Sequence, residues 1–298
     1  MRKSSDELFG GGTVSRRNVI ERVTTVGLSF GVLGNATETQ VDAQIRKQKP
    51  AGAPGRVVSL DAKPNPVAID TAKTAVIVVD MQNDFAAKGG MLDLAGIDIS
   101  GIRAAIGPIA KVLLSARQAN VKIIYLKMGF RSDLSDLGTP DSPNRVRHLQ
   151  FGVGKSIHAP DGRESRILIR DTWDSDIVEE LKPQADDLVI YKHRYSGFYE
   201  TDLDVTLKKL GIKHLIVTGC TTSLCVESTV RDAMFRDYLC VLLHDCMSQP
   251  TIGNSLPGSN HDASLAVVEA NFGWVSSSDQ FIKVLYRQSM AVDVRTNT

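Results

Sequence analysis

Thr74-Ala-Val-Ile-Val-Val-Asp80 decides the fold class. It is an unbroken β-branched and apolar run that stops on a carboxylate. A strand wetted on one side alternates apolar with polar residues. A run without alternation fits a strand covered on both faces, as in a parallel sheet with helices above and below. Outward from it the pattern repeats over residues 121–125, 188–192, 215–218 and 240–243, with Val275 on a sixth short strand. Helical stretches lie between them, over 109–118, 201–210, 225–237 and 262–271, and a last one ends near Tyr286. Pro108 stands near the start of the first of these. Thr201 with Asp204, and Ser277 with Gln280, have capping-box spacing. This alternation predicts an α/β fold: a three-layer α/β/α, Rossmann-like sandwich around a mostly parallel six-stranded sheet. Residues 129–172 show no clear strand, and a loop that long inside a compact domain is usually functional.

The 298 residues hold 35 Lys and Arg against 34 Asp and Glu, a formal charge of +1. That balance argues against nucleic-acid or membrane-surface binding by bulk charge. With 42% hydrophobic residues the chain can bury a core. No apolar run is long enough to span a membrane. The four cysteines, Cys220, Cys225, Cys240 and Cys246, crowd into one segment and form no paired CxxC knuckles, so free thiols are expected and no metal site.

Residues 1–45 read as a leader, 46–66 as a proline-bearing linker, 67–290 as the folded domain and 291–298 as a tail. Ser15-Arg16-Arg17 precedes a mildly apolar stretch, and Val41-Asp42-Ala43 resembles a small-residue cleavage site. Two readings stand. A twin-arginine signal gives a periplasmic or exported protein; a disordered basic N-terminus leaves a cytoplasmic one.

Three strand ends carry chemistry. Asp80 closes the first strand, Lys192 the third, and Cys225 follows the fourth; parallel strands bring all three to one sheet edge. Each alone is unremarkable. Together they suit a thiol nucleophile. A helix N-terminus and a nearby ammonium favour the thiolate, so alkylation of Cys225 is expected to be fast near neutral pH. A carboxylate can take the thiol proton and return it to a leaving amine. In the turn Thr218-Gly-Cys-Thr-Thr-Ser-Leu-Cys225, N–H groups near Thr221 and Cys225 are placed to meet an oxyanion.

Val79-Asp-Met-Gln-Asn-Asp-Phe85, Gly89-Gly90, the lysine strand and Gly219-x-Thr221-Thr222-x-x-Cys225-Val226 resemble the isochorismatase-like cysteine hydrolases. Gly90-Met-Leu-Asp-Leu-Ala-Gly96, Ser142-Pro-Asn144, Arg194-Tyr-Ser-Gly-Phe198, Cys225-Val-Glu-Ser-Thr-Val-Arg-Asp232 and Phe272-Gly-Trp-Val275 are most similar to the ureidoacrylate amidohydrolase branch. The resemblance spans residues 70–286. It implies a cysteine amidohydrolase of a small amide or ureido substrate, with no cofactor, assembled as a homodimer or homotetramer. Cys225 would be the nucleophile, Asp80 the base and acid, and Lys192 their support. The amides of Thr221 and Cys225 would form the oxyanion hole, after a cis Cys220–Thr221 peptide. Phe85, Phe130, Tyr195 and Phe198 would bind substrate. Nicotinamidases carry metal-binding histidines after the second strand; Lys127-Met-Gly-Phe-Arg-Ser-Asp133 has none, so no metal is expected. Met128 and Phe130 also replace an amide and a Trp of the ureidoacrylate branch, which leaves biuret or another amide open as substrate. Arg131 and Arg194 are candidates for a substrate carboxylate. A non-catalytic binding domain is the alternative from another class.

Overall fold

In a computed structural model, the described residues are 56–250 and 259–286. The leader, the tail and most of the 251–260 segment therefore lie outside them. Part of the expected linker belongs to the folded unit: β1 (Val57–Leu60) pairs antiparallel with β2 (Val67–Asp70).

The central sheet is built from β3 (Thr74–Val79), β4 (Lys122–Met128), β7 (Leu188–Lys192), β8 (His214–Cys220), β9 (Leu239–Ser248) and β10 (Trp274–Ser276). A separate hairpin, β5 (Ser156–His158) with β6 (Glu164–Arg166), lies in the 129–172 region. The sheet order is β10-β9-β8-β3-β4-β7, and every pairing is parallel. The chain moves one way from β3 to β4 and β7, then returns to the other side of β3 with β8. The crevice between β3 and β8 is thus the topological switch point, where such sheets bind ligands.

Both faces of β3 are covered, as its sequence requires. Val76 and Val78 join one apolar cluster; Ala75, Ile77 and Val79 join the other. Two short helices, α1 (Asn83–Ala86) and α2 (Met91–Leu94), follow β3, and two longer ones cover the first face: α3 (Ser100–Gln118) and α8, residues 278–286. The second face packs α5 (Leu203–Lys209), α6 (Glu227–Met234) and α7 (Asn260–Asn271). Helix α3 begins well before the expected start, with Pro108 inside it. Ile102, Ala105, Ile106, Ile109, Val112 and Leu113 form one buried stripe, and its burial outweighs the hydrogen bond that Pro108 cannot make.

The two capping boxes part ways. The Gln280 amide donates to Ser277 Oγ at 3.4 Å as expected, and the Asp245 carboxylate adds a bond from Ser278 N at 2.8 Å. Thr201 instead receives the Leu203 amide at 3.3 Å, and α5 starts from Asp202 with no side-chain cap. The 129–172 region is not one long loop. Besides the hairpin it contains α4 (Pro143–Gln150), with Ser142 as N-cap and Pro143 in the first turn.

Candidate active site

Asp80 follows β3 with φ of +51°, a left-handed conformation that Asp tolerates better than most residues. That turn swings the carboxyl across the end of β4. Asp80 Oδ1 accepts the Met128 amide at 2.9 Å, and Gln82 fixes the same strand end by accepting that amide at 2.7 Å and donating to Met128 O at 2.8 Å. Lys192 reaches over from the end of β7. Its Nζ lies 2.7 Å from Asp80 Oδ2, with neither side chain accessible to solvent. Lys192 Nζ also donates to Arg194 O at 3.3 Å. Asp80 Oδ2 makes this ion pair but no well-aligned hydrogen bond, so it keeps acceptor capacity.

Gly219 brings β8 against β3. Its φ is +110°, and a Cβ there would lie 2.0 Å from Val79 O, so only glycine allows the approach. The chain then passes through a cis Cys220–Thr221 peptide into a π-helical turn, Thr222–Val226, ahead of α6. The expected single helix from 225 is thus a turn followed by a shorter helix. Cys225 O accepts Thr229 Oγ1 at 2.6 Å, and the same hydroxyl accepts the Gly197 amide at 3.0 Å, which ties the thiol segment to the lysine segment. Ser223 donates N–H and Oγ–H to Gln249 Oε1, at 3.0 and 2.8 Å.

Electrostatics here is set by burial and then by neighbours. Burial raises the Asp80 pKa, and Lys192 draws it back only in part. For Lys192 burial opposes the charge, but Asp80 and Cys225 outweigh it, and its pKa lies above the usual ammonium value. The Cys225 thiol is pushed up to about 12, by burial first and by the Asp80 charge second, with Lys192 opposing. This revises the expectation of a resting thiolate. The ammonium is present, but it is already committed to a carboxylate that repels a second anion.

A cavity of about 600 Å³ opens over these groups. Asp80, Met128, Thr221 and Cys225 line it, as do Phe85 and Tyr195, with Met91, Leu92, Leu168 and Leu224 adding apolar wall. Two expected substrate contacts are not on that wall. Phe130 is fully buried beneath His148, edge to face with ring centroids 5.1 Å apart. Phe198 stacks on Tyr238 at 5.8 Å, within the apolar core on the α5–α6 face. Arg131 lines a different cavity, between β7 and the 131–138 segment. The structure adds wall residues that sequence reasoning missed, among them Arg147, His148 and Gln249. The signal for the first two was the Ser142-Pro143 helix start, which places them on α4. Among the described residues no three His, Cys, Asp or Glu side chains converge as a metal site.

An isochorismatase domain matches residues 74–280. The ureidoacrylate amidohydrolase RutB of Caulobacter segnis is 42% identical over 229 residues, covering 77% of this chain and 92% of that protein. That of Agrobacterium fabrum is 38% identical over 236 residues, 79% of this chain and all of its own length. Among solved structures, a cysteine hydrolase from Pseudomonas syringae pv. phaseolicola superposes with a TM-score of 0.63 at 32% identity, over 74% of this chain and 95% of that one. N-carbamoylsarcosine amidase from Thermoplasma acidophilum gives 0.50 at 27% identity, over 70% and 97%. The parallel sheet, with an ion pair and a thiol at a largely apolar switch-point cavity, defines an α/β hydrolytic scaffold. The chain belongs to the isochorismatase family.

Proposed function

We propose that the protein is a cysteine amidohydrolase that cleaves a C–N bond of a small ureido or amide compound, with ureidoacrylate-like or other N-carbamoyl compounds as the substrate class. One observation carries this reading: a solvent-free carboxylate–ammonium pair, Asp80 with Lys192, at the floor of a cavity that Cys225 also lines. The relatives' names support the bond type.

The resting nucleophile is the thiol. As Sγ approaches the carbonyl carbon, the thiol proton passes to Asp80. Lys192 keeps the carboxylate charged until then; afterwards Asp80 is a neutral carboxyl and the ammonium faces the negative charge that has passed to the sulfur and the substrate. The amides of Thr221 and Cys225 receive the developing oxyanion, where losing one such donor typically costs about 3 kcal/mol. The C–N bond breaks, the nitrogen takes the proton from Asp80, and an amine leaves. The carbonyl stays on sulfur as a thioester. Water then gives a proton to Asp80 and its oxygen to the carbonyl carbon; the C–S bond breaks and the thiol regains its proton. With a ureido substrate the acyl group is carbamoyl, so carbamate leaves and decays to ammonia and carbon dioxide. Side chains and water suffice for every step.

The test is ammonia release by the purified full chain from ureidoacrylate, N-carbamoylsarcosine, biuret and nicotinamide, with Cys225→Ala as control. Turnover of a ureido compound, abolished in Cys225→Ala, is expected. No turnover of any of the four, or turnover that survives the substitution, overturns the reading.

A further inference from the structure

We propose that Arg147 is the anion anchor of the cavity, and that the substrate is accordingly a ureido or amide derivative carrying a carboxylate. The inference rests on Cys225 as the nucleophile and goes beyond it to the other end of the substrate.

The argument starts from α4. Asn144, Arg147, His148 and Phe151 recur at the spacing of one helix face, and all four line the cavity. Three have their polar or aromatic groups engaged. Asn144 Nδ2 donates to Leu137 O at 2.9 Å. His148 Nδ1 bonds Asn144 O at 2.6 Å, and its ring packs between Phe130 and Tyr195. Phe151 is apolar. Arg147 is exposed at the rim of the cavity, and its guanidinium has neither a hydrogen bond nor an ion pair with any described residue.

The other arginines of the neighbourhood are spent. Arg194 Nη1 donates to Asp136 O at 2.8 Å and His193 O at 2.6 Å, and its guanidinium lies 5.4 Å from the Tyr199 ring centre. Arg145 donates to Leu134 O and Gly138 O. Arg131 faces the separate cavity already described. Of the two arginines first considered for a carboxylate, Arg131 lines only the separate cavity, and Arg194, which lines this one too, has its Nη1 committed to two carbonyls. On the acid side, Asp80 is the one carboxylate among the described cavity-lining residues, and Lys192 holds it. A free cation with no internal counter-ion therefore shares the cavity with the thiol.

Tyr195 relates the two. Its side chain lines the cavity together with both, and burial raises its pKa. Arg147 and Cys225 line one cavity of about 600 Å³, so an acid held by Arg147 keeps its reacting carbonyl in the space that Cys225 also faces. A guanidinium fork matches a carboxylate in two hydrogen bonds. Neutral amides such as biuret and nicotinamide offer it nothing.

The experiment separates this inference from the hydrolase reading by measuring binding without turnover. Calorimetry on the full chain uses Cys225→Ala and the double variant Cys225→Ala with Arg147→Met, against ureidoacrylate, N-carbamoylsarcosine and their methyl esters. An acid should bind Cys225→Ala and lose roughly 10- to 100-fold in affinity in the double variant, while its ester binds both alike. Arg147→Lys should recover part of the loss. In the otherwise native enzyme, Arg147→Met should raise KM for the acid by a similar factor with kcat little changed. Equal affinity of the acids for both variants, equal losses for acid and ester, or no binding of either acid overturns the anchor. The charge-selective binding pattern without turnover by the native chain would keep the anchor and remove the hydrolase reading. Turnover of ester and acid alike, indifferent to Arg147→Met, would do the reverse.

Discussion

Asp80 and Asp84 come from one short motif and are both fully buried, yet the fold treats them in opposite ways. Asp80 faces a cation, Lys192, at 2.7 Å. Asp84 faces another buried carboxylate, Asp174. Burial raises the Asp84 pKa and the Asp174 charge raises it well further. Asp84 accepts the Met91 amide at 2.9 Å and the Leu168 amide at 2.7 Å, and Ser165 Oγ donates to Asp174 Oδ2. Asp174 Oδ1 has no N–H or hydroxyl donor among the described residues, so a proton on Asp84 is what satisfies it. A buried carboxylate paired with a cation keeps its charge and can trade a proton with a ligand. One paired with a carboxylate keeps the proton and becomes a clamp, here joining Met91 and Leu168, both on the cavity wall.

Lys192→Met should break that contrast most severely. It leaves Asp80 buried beside a methyl group, at a cost of about 3–5 kcal/mol in denaturant unfolding. Asp80 would then hold its proton, and ammonia release should fall on the order of 10²- to 10⁴-fold. Asp84→Asn comes next: one of two backbone amides meets an NH₂ group instead of an oxygen, at about 1–3 kcal/mol. Asp174→Asn tests the sign of the linkage. With its raised native pKa, folded Asp84 holds a proton that the unfolded chain releases near pH 4. Stability from this site is therefore full below about pH 4 and is lost as pH rises toward the native value. Asp174→Asn removes the opposing charge, so unfolding free energies measured from pH 5 to 8 should fall less steeply than in the native protein. Ser165→Ala should be mildest, near 1 kcal/mol, with KM unchanged. On the Asp80 side, iodoacetamide should label Cys225 slowly at pH 7, with a rate rising about tenfold per pH unit above it, because the thiol lies up at about 12. Fast labelling at pH 7 would show that Lys192, not burial, controls the sulfur.

The strands and the three groups at their ends were legible because β-branched runs have no other comfortable home than a covered sheet. Asp80 follows such a run directly, Lys192 ends one, and Cys225 stands in the turn just past a third. Phe130 and Phe198 were misplaced for a different reason. Past a strand end, the alternation that tells which way a side chain points is gone. Phe130 has the parity of the wall residue Met128, yet its backbone bridges to Ile169 and the ring turns inward. Helix α4 hid because Asn144, Arg147 and His148 on its cavity face are polar, and apolar periodicity cannot reveal such a helix. The Asp84–Asp174 clamp joins residues far apart in sequence, and no local pattern announces it.

The strand order has a consequence for synthesis. β3 acquires β4 and later β7 on one side, but its other edge waits for β8. A chain emerging at roughly 5–20 residues per second exposes that edge for several seconds to about half a minute between Val79 and His214. During that interval the most apolar strand of the molecule is an open template for another chain. Pulse-labelled nascent chains released just short of His214 are where chaperone capture and aggregation should concentrate.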